Sequence, residues 1–411
     1  MKVFLRTFGC RANHADTEAV RALVLGAGHE IVESPEQAEA AVFNSCAVTA
    51  DAEADLRQAV RRAARTSPML RSVVMGCVAG LADRDAALRG LPSVADVVAG
   101  GDARAVANAL RIGPAVLGPT PVRQQSTRAL LRIQDGCDEH CTFCTTTLAR
   151  GSNRSRPLDE LVAETIALSA HHPEIVLTGV HIGTYGADIG SSLGALLERL
   201  VRDVPAVRFR LSSVEATEVD ERLAALLTDD SARVAPFLHA PLQSGSARVL
   251  RRMGRHWYTP DQYASAIERL TVRGTPFGLG ADVITGFPGE TDDDHARTVA
   301  LCERLPFTYL HVFPFSLRPG TAAEWLPGRV SPMAARERAA ELRALASRKA
   351  AVYAASRASG TADVVVVGDA GRRSGLTEDY LTVNLADSSL PRGHRFVARL
   401  SASASGSLIA A

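Results

Sequence analysis

Six of the seven cysteines of this 411-residue chain fall into two groups of three, and the groups are built differently. Cys137, Cys141 and Cys144 are packed into one loop, GCDEHCTFC, with CxxxCxxC spacing. Cys10, Cys46 and Cys77 are far apart, but each ends an apolar run: RTFGC, VFNSC and VVMGC. Three thiolates are one ligand short of the four-cysteine set that fills a [4Fe–4S] cluster, which leaves one iron open to bind something else. Two such sets suggest two working clusters rather than two structural clips. The compact set has a competing reading as a zinc loop with His140 as fourth ligand, although CxxxC departs from the common zinc pairs. Each dispersed cysteine, taken alone, also reads as a small buried hydrophobe. Cys302, in LCERL, reads as a core residue.

The remaining composition fits a reduced, water-filled compartment. Apolar residues make up 46% of the chain and the formal net charge is +1. No apolar run reaches the 18 or more residues of a spanning helix, and MKVFLRTFGCRANHADTE lacks the apolar stretch and cleavage site of a secretory signal. The expectation is a cytoplasmic protein without a membrane segment, whose cysteines bind metal rather than pair as disulfides. Positive charge is almost entirely arginine, since Lys2 and Lys349 are the only lysines.

Apolar runs at Val3–Phe8, Ala40–Phe43 and Ser72–Met75 alternate with helical stretches at Ala15–Gly26 and Ala52–Arg65, which predicts a parallel sheet over residues 1–115. Sites in such sheets form at the carboxyl ends of strands, where all three dispersed cysteines fall. The proline- and glycine-rich stretch Gly113–Ser126 reads as a linker. A second α/β series follows over 124–355. Its strand candidates are Ala129–Ile133, Glu174–Thr178, Val207–Leu211, Phe237–Ala240, Gly278–Ile284 and Tyr309–Phe313. Leu158–His171, Leu193–Arg202, Asp261–Arg273 and Asp292–Arg304 read as helices between them, and six such units predict a partial barrel with its site at the strand C-terminal ends. A final helix runs from Met333 to about Ala355, and short strands over 360–411 predict a small antiparallel barrel. The fold class is therefore α/β in three units.

Along nearly its whole length the chain resembles the radical S-adenosylmethionine methylthiotransferase family. FGCRANHADTEAV, NSCAVT and MGC are similar to that family's three N-terminal cluster segments. RIQDGCDEHCTFC, EIVLTGVHIGTYG, RLSSVEA, HAPLQSGSARVLRRMGR, DVITGFPGE and HVFPFSLRPGTAA are similar to its successive barrel motifs. The C-terminal segment is similar in position and size to its RNA-binding TRAM domain. Arg11 and Asn13 in FGCRxN, with HVFPFSxRPGT, look most like the branch acting on N6-threonylcarbamoyladenosine in tRNA.

The resemblance implies two [4Fe–4S] clusters, on Cys137, Cys141 and Cys144 and on Cys10, Cys46 and Cys77, together with S-adenosylmethionine. Phe143, Thr178, Gly179, Ser213, Glu215, Gln243 and Ile284 fall where the family meets the cofactor. For Gly179 a turn, and for Glu215 a helix cap, are the structural alternatives. The implied reaction adds a methylthio group to C2 of a hypermodified adenosine beside the anticodon. The barrel cluster would cleave S-adenosylmethionine and the N-terminal cluster would carry the sulfur, with external electron and sulfur donors. The alternatives are an isopentenyladenosine tRNA substrate, a ribosomal-protein aspartate, and an iron–sulfur RNA-binding protein without turnover. Two positions depart from the family pattern, Thr147 and Ala216, where proline is common. Arg150, Arg154 and Arg156, with Arg248, Arg251, Arg252 and Arg255, are expected to rim the barrel mouth where RNA phosphates would pass.

Overall fold

A computed structural model describes the chain except for residues 48–49, 114–122, 230–232, 272–274, 370 and 404–405. Most of the linker expected over Gly113–Ser126, part of NSCAVT and the end of the helix expected to Arg273 lie outside the described residues.

The N-terminal strands are β1 (Lys2–Thr7), β2 (Glu30–Val32), β3 (Ala40–Ser45), β4 (Arg71–Gly76) and β5 (Val94–Ala99). They form a parallel sheet in the order β2–β1–β3–β4–β5. Every residue of β3 is buried, as expected of a central strand with helices on both faces. Val20 and Val24 of the helix Arg11–Gly26 pack on one face beside Val106. Leu56 and Val60 of the helix Ala50–Thr66 pack on the other, against Phe43 and Val74. The short β2 and edge strand β5 were not expected.

The central unit contains β6 (Ala129–Arg132), β7 (Gln134–Asp135), β8 (Arg154–Ser155), β9 (Glu174–Thr178), β10 (Arg208–Leu211), β11 (Phe237–His239), β12 (Gly278–Thr285) and β13 (Tyr309–Pro314). The parallel sheets β6–β9–β10 and β11–β12–β13 are joined by the parallel bridges Phe209↔Val234 and Ser213↔His239. The result is the expected six-stranded partial barrel. The antiparallel pair β7–β8 is an addition, and it brackets the cysteine loop. The helix Arg11–Gly26 lies along β6, where the Asp16 carboxylate pairs with Arg132.

β14 (Thr361–Val367), β15 (Ser374–Thr377), β16 (Thr382–Leu385), β17 (Arg395–Ala402) and β18 (Leu408–Ala410) close a barrel in the order β14–β15–β16–β18–β17. It is antiparallel as expected except at one seam, where β16 and β18 run parallel.

This small barrel packs against the strand starts of the central barrel, away from the cysteine ends. A Cβ at Gly278 would collide with the Asp379 carbonyl, so the close approach requires glycine there. Glu174 heads β9 with 0% exposure and takes ion pairs from Arg208 at 2.6 Å and Arg210 at 2.8 Å. Arg208 continues to the Asp363 carbonyl (2.7 Å) and Arg210 to the Thr377 carbonyl (3.0 Å), so the network crosses into the small barrel. Burial alone would raise the Glu174 carboxyl, but Arg210 and Arg208 outweigh it and hold it well below the usual range. Its folded value is depressed. The stability it contributes is therefore present above its unfolded value, about 4.3, and is lost as pH falls below that. Glu174→Ala should lower stability by about 3–5 kcal/mol, because it takes the carboxylate from buried Arg210 and leaves buried Arg208 only Asp363. The check is the thermal midpoint at neutral pH, where Glu174→Gln should lose less and show a weaker acid dependence. A wild-type melting curve for Glu174→Ala would remove this network as the joint between the barrels.

Candidate cluster sites and their surroundings

The three dispersed cysteines meet at one sheet edge because their strands are neighbours. Cys10 follows β1 and is the N-cap of the helix Arg11–Gly26, Cys46 follows β3, and Cys77 follows β4. Asn13, fully buried, ties the first two of these ends together. Its amide donates to Asn44 Oδ1 and to the Ser45 carbonyl, both at 2.8 Å, and its Oδ1 accepts from the Cys10 thiol at 3.2 Å. Gly9 has φ +106°, and a Cβ there would lie 2.7 Å from Cys46 Sγ. Only glycine permits that turn and leaves room for the sulfur. Cys46 and Cys77 are buried and Cys10 is exposed.

The compact triplet occupies the loop between β7 and the short helix Thr146–Arg150. Every sulfur has a nearby donor. Cys137 Sγ accepts from the Glu139 N–H at 3.4 Å and lies 3.5 Å from His181 Nδ1. Cys141 Sγ accepts from Arg255 at 3.5 Å, and Cys144 Sγ from the Thr146 N–H at 3.3 Å. Donors around sulfur suit thiolate ligands. Burial pushes the Cys141 thiol up to about 12, against the opposing pull of Arg255, so loading this site must expel protons. The loop is clamped at Thr142, whose N–H donates to the Met253 carbonyl (2.8 Å) and whose carbonyl accepts from Ala323 (2.7 Å).

Neither triplet brings its three sulfurs mutually within 4.8 Å, whereas His239, Asp282 and His311 do so with their ligand atoms. A single tetrahedral zinc at about 2.3 Å from each sulfur needs sulfurs roughly 4 Å apart. Neither triplet is gathered around a single-ion site of that size, and His140, the fourth ligand of the zinc reading, is exposed.

Arg150 joins the two sites. It lies on the helix after Cys144, yet its Nε donates to Cys77 Sγ at 3.2 Å. Its remaining nitrogens hold Asp135 at 3.0 Å and Asp16 at 2.7 Å, with the guanidinium side chain 1% exposed. Beside it the Ala149 backbone presses on Gly80, where any Cβ would clash. Arg150 is thus an interior bridge, not the RNA-facing rim residue expected. Arg255 is corrected in the same way. It is buried, pairs with Glu215 and lies 4.7 Å over the Trp257 ring. Arg248 pairs with Asp294, and Arg252 donates to the Pro288 and Pro327 carbonyls at 2.9 Å. Arg154 and Arg251 remain on the surface.

The other expected cofactor positions share this end of the barrel. Thr178 ends β9 with 0% exposure, and its Oγ1 has no hydrogen-bond partner among the described residues. An orphaned hydroxyl beside the cluster loop is what a bound polar ligand would satisfy. Gly179 answers first to packing, since a Cβ there would lie 2.7 Å from the Gln134 carbonyl. Gln134 itself, missed in the sequence, accepts from the Val180 and His181 N–H groups and donates to the Gly136 carbonyl at 2.6 Å. Ser213 is exposed, past the end of β10. Glu215 is both a cap, for the turn Ala216–Glu218, and the partner of Arg255. Gln243 has φ +61°, accepts from the Ile284 N–H at 2.9 Å and fixes that end of β12. Phe143 meets Phe287 edge-on at 6.3 Å. Thr147 and Ala216 both sit in the first turn of a short helix, where proline is tolerated but not needed.

Further residues give the lumen its polarity. Asp282 lies 3.2 Å from His239 Nε2 and 3.3 Å from His311 Nδ1, while His239 Nδ1 bonds the Tyr309 hydroxyl at 2.7 Å. His181 reaches Glu218 at 2.7 Å. Burial alone would lower the His181 imidazole, but its bonds to Cys137 and Glu218 push it up to about 10.

Comparisons with known proteins agree with this geometry. Residues 2–100 match a family described as "Uncharacterized protein family UPF0004", and residues 131–302 match the radical SAM superfamily. The threonylcarbamoyladenosine tRNA methylthiotransferase MtaB of Bacillus subtilis is 35% identical over 86% of this chain and 82% of its own length. The protein of the same name from Thermotoga maritima is 34% identical over 82% of this chain and 80% of its own. Among solved structures, the radical S-adenosylmethionine methyltransferase TsrM from Kitasatospora setae superposes with a TM-score of 0.59 over 78% of this chain and 76% of that one. At 15% identity that likeness concerns the fold. No helix among the described residues is long and apolar enough to cross a membrane. A cysteine loop suited to one [4Fe–4S] cluster with S-adenosylmethionine, on this fold and with these relatives, makes the chain an enzyme that belongs to the radical S-adenosylmethionine methylthiotransferase family.

Proposed function

We propose that this enzyme adds a methylthio group to C2 of N6-threonylcarbamoyladenosine beside the anticodon of tRNA, using two [4Fe–4S] clusters. The observation that carries the two-cluster reading is the pair of cysteine triplets on separate α/β units, linked by Arg150. The tRNA substrate rests on the names of the relatives. We further propose the unit boundaries 1–115, 124–355 and 360–411, the last unit acting as an RNA-binding module.

When bound, the barrel cluster with one S-adenosylmethionine would supply one-electron cleavage for hydrogen abstraction from C2, the N-terminal cluster would supply the sulfur, and a second S-adenosylmethionine would supply the methyl group. The chain's own work is placement. Cys137, Cys141 and Cys144 hold the barrel cluster, while Thr178, Gly179, Ser213, Gln243 and Ile284 shape the cofactor's bed. Glu215 contributes through Arg255, which it orients toward Cys141. Phe143 braces the loop against Phe287. Cys10, Cys46 and Cys77 hold the second cluster, and Asn13 fixes the Cys10 end against the Cys46 end. Electrons and replacement sulfur come from external donors.

Replacing Cys141 by Ala should abolish dithionite-driven cleavage of S-adenosylmethionine to 5′-deoxyadenosine. Replacing Cys46 by Ala should spare cleavage and lose methylthiolation; a Cys46→Ala protein that still methylthiolates would refute the division of labour. Arg150→Leu removes the guanidinium that Asp16 and Asp135 share and leaves them only the partly exposed Arg132 and the exposed Arg154. It should cost about 3–5 kcal/mol in thermal or denaturant unfolding and lower the iron bound per chain, with Arg150→Lys intermediate. Nucleoside mass spectrometry of tRNA from a deletion strain tests the substrate. Loss of the 2-methylthio form of threonylcarbamoyladenosine is expected, and loss of the isopentenyl form instead would reassign it.

A further inference from the structure

A cavity of about 680 Å³ opens where the helix Arg11–Gly26, strands β6 and β9, and the small C-terminal barrel meet. Its apolar wall includes Leu130 and Val176, which are register partners on β6 and β9. Val176 lies two residues before Thr178 on the same strand face, about 7 Å lower. Tyr380 forms the floor, with its ring stacked 4.5 Å from Phe237. Arg11 donates to the Tyr380 hydroxyl at 2.8 Å, and Arg11 and Arg128 each place a guanidinium 5.8 Å from the Tyr380 ring centroid.

Positive charge exceeds negative charge here. Arg128 lies 3.5 Å from Glu174, but that carboxylate already serves Arg208 and Arg210. The cavity's own acids face other partners: Glu18 lies 3.9 Å from Arg21, and Asp369 lies 2.7 Å from Arg392. Arg11 has no carboxylate partner among the described residues. The same excess acts on the Tyr380 phenol, which burial would raise but which the three surrounding guanidinium groups hold below its ordinary value. An anion placed against Arg11 and Arg128 would complete the balance, and guanidinium forks favour a planar carboxylate.

We propose that Arg11 and Arg128 form an anion subsite that binds the carboxylate of the substrate's N6 substituent, one residue away from the cluster ligand Cys10. This rests on the threonylcarbamoyladenosine reading, since a threonine-derived group carries such a carboxylate and an isopentenyl group does not. The other source of the same chemistry is a phosphodiester of the RNA. The apolar wall of Leu130 and Val176, and the place of Arg11 next to Cys10 in the chain, favour a group on the reacting base.

The test uses reconstituted holoenzyme and two anticodon stem-loops of one sequence. In one the threonylcarbamoyl carboxylate is free, and in the other it is a carboxamide. Wild type should prefer the carboxylate by at least about tenfold in kcat/KM. Arg11→Gln and Arg128→Gln should each erase most of that preference, and Arg11→Lys should keep part of it, which separates lost charge from misfolding. If the variants weaken both stem-loops by one factor, the arginines hold a phosphodiester and the assignment is overturned. Unchanged discrimination in Arg11→Gln overturns it as well. If wild type cleaves S-adenosylmethionine yet methylthiolates neither stem-loop, the substrate reading fails first and the subsite falls with it.

Discussion

One buried guanidinium sets the relation between the two halves of the chemistry. Arg150 gives its nitrogens to Cys77, Asp135 and Asp16, which come from three separate stretches of chain. Removing a guanidinium and two carboxylates from water is costly, and only near-complete pairing compensates for it. The N-terminal sheet therefore cannot slide along the barrel without baring several charges together. The Ala149–Gly80 backbone contact acts in the same direction, because it leaves no space for even a methyl group. The two cysteine sites are held at a fixed spacing by these contacts.

The same device appears twice. Arg150 meets Cys77 at one site and Arg255 meets Cys141 at the other, and each guanidinium is also anchored by a carboxylate, Asp16 or Asp135 for the first and Glu215 for the second. A cluster held by thiolates adds negative charge to a poorly solvated place. A buried cation beside one thiolate offsets that charge, and the carboxylate stops the cation from swinging away. Sulfur hydrogen bonds of this kind are also a general means of tuning cluster potential.

Much of the architecture was legible in local patterns. Parallel alternation placed Cys10, Cys46 and Cys77 at strand ends, and the sheet order then made those ends neighbours. The six barrel strands were visible as apolar runs. What was hidden depends on distance in sequence. Arg150 and Arg255 look like surface arginines next to exposed Arg154 and Arg251, and only tertiary packing reveals their acceptors. His239, Asp282 and His311 sit on three successive strands, and register alone brings them together. The three-residue β2 is too short to show a period, and β5 is an edge strand with mixed exposure. The parallel β16–β18 seam was equally invisible, because a barrel's closing pair is set by how the ends meet.

The contact between Arg11 and Tyr380 spans 369 positions of the chain. A ribosome finishes the N-terminal sheet long before it makes the residue that receives Arg11. Until the last small barrel emerges and packs against the strand starts, the cavity has no floor. The cysteine ends of both α/β units come earlier in the chain, so the wall that receives Arg11 is completed only once residues 361–410 have packed.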